Sequence, residues 1–371
     1  MYGVAVGDYN FTGRVEETRR LRQDFENGIN SILISPRRWG KTSLVNHVRK
    51  QLEGGDILIV FLDIFGCKNE YEFYNALATA VLKQTASKVQ QWMDEARDFL
   101  ARLTPKLSIS PEPFSEIGIS LGITPETHTP EQVLSLVEDI ARRKQRRIVV
   151  CIDEFQQVGE FADSRSVQAR MRAVWQHQQY TSYCLFGSKQ HMMSSIFLNR
   201  SMPFYQFGDI MWLQKIPTQD WIPYITTHFE AAGRQITTEQ AEWICQTVDN
   251  YPSYVQHLCA ILLNRTSSGE KVSDEIRDAA IEELIGTNEA LYMQMVEQFS
   301  AYQMNLIRAI LAGIRSGYNE KKIRSAYNLG APSNVVRLKD ALIERDIIYS
   351  EMKQLYITDP VFALWFRKRF C

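Results

Sequence analysis

The stretch "SPRRWGKTS", residues 35–43, decides how this chain is read. It follows a compact apolar run, SILIS (31–35), and leads into TSLVNHVRKQL (42–52), where Leu44, Val45, Val48 and Leu52 share one helical face. Strand, glycine-bearing loop and helix in that order are what a phosphate-binding loop requires, because backbone N–H groups and the helix N-terminus must face the phosphates. Gly-Lys followed by Ser or Thr arises by chance roughly one time in five in a chain this long, so the flanking elements carry the reading. Gly40 permits close backbone approach, Lys41 can reach the β- and γ-phosphates, and Thr42 offers its hydroxyl to Mg²⁺. Ser35 stands where the first glycine is usual, and its small side chain serves if φ stays negative. Ser35, Pro36, Arg37, Arg38, Trp39, Gly40, Lys41, Thr42 and Ser43 are thus the candidate nucleotide-binding segment. Trp39 reads as packing rather than base stacking. Arg37 and Arg38 lie outside the general loop requirement and could pair with phosphates, with Glu154 or with a neighbouring protomer.

A phosphate loop needs a carboxylate at the end of a neighbouring strand. RRIVVCIDE (146–154) supplies an apolar run that ends in Asp153 and Glu154. Asp153 would hold the magnesium together with Thr42, and Glu154 would polarise the attacking water. Further strands are expected at ILIVFLDIF (57–65), YCLFGS (183–188) and IMWLQKI (210–216), alternating with helical stretches. Short apolar strands separated by helices predict an α/β fold with a parallel sheet. Residues 106–126 break this rhythm with period-two alternation and predict an inserted β-hairpin.

From about residue 217 the strands stop. Residues 1–216 therefore read as the nucleotide-binding core, 217–295 as an all-helical lid, and 296–371 as three helices and a two-stranded element, a winged helix. That last segment carries twelve Lys and Arg against seven Asp and Glu. Lys321, Lys322, Arg324, Arg337 and Lys339 are its candidate DNA contacts, and packing on the core is the competing use of the same module. The chain as a whole has a net charge of −1, so no global field draws it to nucleic acid or to an anionic membrane. Its 45% hydrophobic and 23% charged residues are ordinary for a globular protein. The six cysteines form no C-x-x-C pair, and no 18-residue apolar run occurs, which predicts a soluble cytoplasmic protein without membrane association.

Taken together, "SPRRWGKTSL", "VVCIDEFQQV", "CLFGSKQHMM", "MPFYQFGD", "YPSYVQHL" and "ITDPVFALWF" resemble the archaeal-type P-loop ATPases that are also abundant in Bacteroidetes. These are additional-strand P-loop proteins near the STAND and origin-recognition branches of AAA+ proteins. The resemblance implies ATP or ADP with Mg²⁺, and an extra strand that carries a polar sensor between the two nucleotide motifs. Ser188 fits that place. It also implies Pro252 beside the base, in Asn250-Tyr251-Pro252 where relatives carry Gly-x-Pro. Where relatives have Pro-Leu-Tyr-Gly-Arg, this chain has Pro203-Phe204-Tyr205-Gln206-Phe207, so Arg200 is the nearest candidate arginine finger. The expected activity is ATP hydrolysis by a molecular switch, slow without a protein partner. A nucleotide-bound DNA-binding regulator and an ADP-locked interaction scaffold stay open beside it, as does oligomerisation.

Overall fold

The computed structural model describes residues 10–86, 91, 95, 123 and 129–371. They form two compact units. One comprises Arg14–Arg37 and Lys41–Gln214, the other residues 10–13, Arg38–Gly40 and Lys215–Cys371.

The first unit contains helices α1 (Val15–Asn27), α2 (Lys41–Gln51), α3 (Glu70–Thr85), α4 (Pro130–Lys144), α5 (Ser164–Trp175) and α6 (Gln190–Leu198). They alternate with strands β1 (Ser31–Ile34), β2 (Ile57–Asp63), β3 (Arg147–Asp153), β4 (Thr181–Gly187) and β5 (Asp209–Trp212). The strands pair in parallel in the order β2-β3-β4-β1-β5. The expected parallel sheet is therefore present, and β4 is the additional strand between the phosphate-loop strand β1 and the acidic strand β3. Both faces of the sheet are covered, as a parallel sheet demands. Ile32 and Ile34 join one apolar cluster with Val60, Val150, Ile152 and Leu185, while Leu33 between them is fully buried outside that cluster. The expected hairpin at 106–126 lies outside the described residues except for Ile123, which is buried and whose backbone exchanges hydrogen bonds with the Asn75 side chain.

The junction of β1 and β5 is close-packed. The Asn30 carbonyl accepts from Asp209 N at 2.7 Å, and its side chain bonds Tyr183 N and Phe207 O. A Cβ on Gly208 would run into the Asn30 carbonyl oxygen and lie 2.7 Å from its carbon. Backbone cannot yield as a side chain does. Gly208→Ala is expected to destabilise the protein by about 1–3 kcal/mol, measured by urea denaturation.

The second unit is helical up to its wing. It contains α7 (Thr218–Ala231), α8 (Thr238–Thr247), α9 (Pro252–Arg265), α10 (Asp274–Glu297), α11 (Ala301–Leu311), α12 (Lys321–Ala326) and α13 (Pro332–Glu344). An antiparallel pair, β6 (Ile348–Glu351) and β7 (Gln354–Ile357), and a closing helix α14 (Pro360–Phe370) follow. The C-terminal three helices and hairpin are the expected winged helix. One apolar cluster runs through the whole unit, from Trp221 through Leu258 and Leu284 to Trp365. The N-terminus of α14 is bound within it: Asp359 Oδ1 caps Val361 N and Phe362 N, and Oδ2 accepts from Tyr254 at 2.7 Å and Tyr292 at 2.9 Å. No helix among the described residues is long and apolar enough to cross a membrane.

Candidate nucleotide-binding site

The three sequence motifs of the first unit meet at the C-terminal ends of its parallel strands, where open α/β sheets bind ligands. Ser35 and Pro36 leave β1 buried, and Ser35 keeps a negative φ, so serine replaces the first glycine without strain. The left-handed positions of the loop are Arg38 (φ 62°) and Gly40 (φ 92°). Around Gly40 even an added Cβ would meet nothing within 4 Å, which leaves a cradle beside the backbone. Lys41, only 5% exposed, donates from Nζ to Ser35 O (2.9 Å), Pro36 O (3.0 Å) and Ser35 Oγ (3.3 Å). Burial pushes its ammonium down to about 8, against the opposing pull of Asp153 and Glu154. Ser43 is buried on the same helix.

Thr42 Oγ1 donates to Asp153 Oδ2 at 2.8 Å. Burial raises the Asp153 carboxyl to about 6, although the bonds from Thr42 and from Glu154 N–H work in the other direction. A carboxylate and a hydroxyl this close are a hard-oxygen donor pair, and that chemistry fits Mg²⁺. Among the described residues no cluster of three or more His, Cys, Asp or Glu offers another metal site.

Glu154 follows in the left-handed region at φ 55°, a conformation costly for a residue with a Cβ. That turn directs its carboxylate to Ser188 just beyond β4, whose Oγ donates to Glu154 Oε2 at 2.9 Å. Arg37 Nε lies 3.3 Å from Ser188 Oγ and donates to it, while its guanidinium stands over the Phe65 ring at 5.9 Å. Ser188 thus bonds both Arg37 and Glu154. The structure thus brings Lys41, Thr42, Asp153, Glu154, Ser188 and Arg37 together. A further residue belongs with them: Gln156 Nε2 also bonds Glu154 Oε2. Sequence reasoning passed over it because a glutamine two residues after an acid carries no distinguishing pattern. Its position after a left-handed turn was the missing cue.

The other candidates are spread over both units. Arg200 is exposed in the turn after α6. In the second unit, Asn250 has φ 54°, as expected of the asparagine that replaces glycine, and Pro252 is buried at the start of α9. Trp39 is buried with them: its ring meets Tyr251 edge-on at 6.0 Å, in keeping with a packing role. In the winged helix, Lys321 and Lys322 are exposed. Arg324 is spent on the carbonyls of Asn319 (3.1 Å) and Gly330 (2.9 Å). Arg337 bonds Asn334, and Lys339 is half-buried beside the exposed Asp340. Further basic residues are consumed inside the unit. Arg308 bonds the Phe370 carbonyl, Arg315 the Leu355 carbonyl, Lys368 pairs with Glu282 and Arg369 with Glu289.

Residues 290–368 match the model of a family described as a probable winged helix domain. Among solved structures, a Walker-type ATPase of Pyrococcus abyssi superposes with a TM-score of 0.69 at 16% identity, covering 96% of each chain. The ORC2 protein of Aeropyrum pernix, solved with ADPNP and ADP, gives 0.56 at 13% identity over 96% of this chain and 93% of that one. The ORC1 protein of the same organism, solved with DNA, gives 0.50 at 12% identity over 98% and 95%. No curated protein sequence matches the chain. At these identities the likeness is one of fold: an α/β P-loop ATPase architecture with a C-terminal winged helix.

Proposed function

We propose that this chain is a Mg²⁺-dependent ATP-binding and ATP-hydrolysing switch, coupling its nucleotide state to a helical lid (217–295) and a winged helix (296–371). The observation that carries the reading is the convergence of Lys41, the Thr42–Asp153 pair and Glu154 at one sheet end. Lys41 would exchange its three loop oxygens for phosphate oxygens, an anionic partner that relieves the cost of burying its charge. Thr42 and Asp153 would hold the Mg²⁺. A bound ion there neutralises charge on the transferring phosphoryl group. Glu154 would accept the proton of the attacking water, with Ser188 fixing its carboxylate. Arg37, already at Ser188, is the cation this chain offers near the transferred group, whereas Arg200 would act only after a rearrangement or on a neighbouring protomer. Turnover is therefore slow without a partner. Coupling to the lid is supported by Arg38–Gly40, which pack with the second unit through Trp39 and Tyr251.

The test is phosphate release from ATP with Mg²⁺, for wild type and Lys41→Ala, each with and without duplex DNA. Lys41→Ala is expected to weaken nucleotide binding at least ~10-fold and to abolish release, since it removes a charge-assisted contact. Unchanged affinity and turnover in that variant would overturn the proposal. Nucleotide that stays bound without turnover in wild type would move the reading to the locked scaffold.

A DNA-bound relative gives DNA its standing as a second reading for the winged helix. Lys321 and Lys322 are exposed, so they are the contacts to vary. Several other basic groups of the module are held by its own carbonyls or by carboxylates of α10. That distribution favours packing within the chain over wrapping a duplex.

A further inference from the structure

We infer that Gln156 is a positioning residue for hydrolysis, holding the Glu154 carboxylate in its working orientation, and that Gly187 lacks a side chain in order to seat it. The inference rests on the proposed role of Glu154.

Gln156 sits in a short 3₁₀ helix (Phe155–Glu160) directly after the acidic strand. Its neighbours Phe155 and Val158 are fully buried, and Phe155 packs against Phe197 and Phe204 at 5.7 and 5.5 Å. The turn is thus anchored from inside the core, and the Gln156 side chain, 3% exposed, has little freedom. A carboxylate only accepts, so the carboxamide must present its NH₂ to Glu154. Nε2 donates to Glu154 Oε2, the same oxygen that receives Ser188 Oγ. The two donors converge on one oxygen and fix the carboxylate's rotation, leaving Oε1 as the atom that can receive a proton from water.

Two further observations separate this from ordinary packing. Gln156 Oε1 is buried and has no hydrogen-bond partner among the described residues. A side chain selected for stability alone would be apolar in that place, so the polar group is retained for what its other end does. The last residue of β4 is also a glycine, and a Cβ on Gly187 would collide with Gln156 Oε1 and approach Met193 Sδ to 2.9 Å. Its φ is not in the left-handed region, so the backbone does not demand glycine there. The carboxamide does.

The experiment compares kcat, KM and thermal stability for wild type, Glu154→Gln, Gln156→Met, Gly187→Ala and the Gln156→Met/Gly187→Ala double variant. Methionine fills the same volume and removes only the polar end. Gln156→Met should lower kcat roughly 10- to 100-fold, with KM and ADP affinity unchanged and melting temperature equal or higher. Gly187→Ala, which displaces the carboxamide, should lose a similar factor, and the double variant should be no slower than the slower single. A kcat in Gln156→Met within twofold of wild type, or losses that multiply in the double variant, would overturn the inference. So would a loss of activity that merely tracks a loss of fold. Turnover surviving in Glu154→Gln would instead remove the reading on which it rests, and the two failures are distinguishable in one series.

Discussion

Replacing Glu154 by glutamine is expected to reduce ATP turnover by roughly 10²–10⁴-fold while leaving nucleotide affinity intact, read by phosphate release and by equilibrium binding of ADP. The substitution keeps the size of the side chain and an oxygen to receive Ser188 Oγ and Gln156 Nε2, so the arrangement of the site survives. It removes only the capacity to take a proton. Lys41 and Thr42, which would carry the phosphates and the ion, are not in hydrogen-bond contact with Glu154. Affinity falling in step with turnover would place Glu154 in binding rather than in the chemical step.

The second large effect is on stability. Asp359→Ala should destabilise the second unit by about 3–5 kcal/mol, measured by urea or thermal denaturation. The carboxylate caps α14 through two backbone N–H groups, and its loss uncaps that helix. It also accepts from Tyr254 and Tyr292, whose hydroxyls sit in rings only 3% and 1% exposed. Burial is the main cause that raises both phenols well above their ordinary range, so neither can ionise to compensate. Asp359→Asn, which retains an acceptor for the cap, should cost clearly less. Equal losses in the two variants would show that the cap contributes little and that the bonds from the tyrosines carry the effect.

The elements that build this site were legible because each rests on local chemistry. SILI and RIVVCID are β-rich apolar runs, and Gly-Lys-Thr after one of them admits few other uses. Asn250 announced a left-handed turn, since asparagine tolerates that conformation. What was not legible depends on partners distant in sequence. The order of the strands follows from which crossovers lie over which face, and no single run records it. Gln156 looks like a surface glutamine until Phe155 and Val158 on either side are seen to be buried. The basic excess of the winged helix was a matter of counting, and counting cannot tell that Arg308, Arg315 and Arg324 are satisfied by backbone carbonyls. Arg37 illustrates the boundary case, because its bond to Ser188 spans 151 positions of sequence and was not among the partners the sequence suggested.

The strand order has a consequence for how the chain is made. β1 precedes the other four strands of its sheet, yet among the described residues it pairs with β4 and β5, with Ser31 aligned to Cys184 on one side and Asp209 on the other. About 150 residues must leave the ribosome before the first of those partners exists, which at ordinary rates of translation takes roughly 10–30 s. Through that interval a strand that ends up fully buried lacks its sheet partners, while β2 can join β3 as soon as both have emerged. The candidate phosphate loop thus follows a strand that is among the last parts of its sheet to find partners, and SILI is expected to stay unpaired until YCLFG arrives.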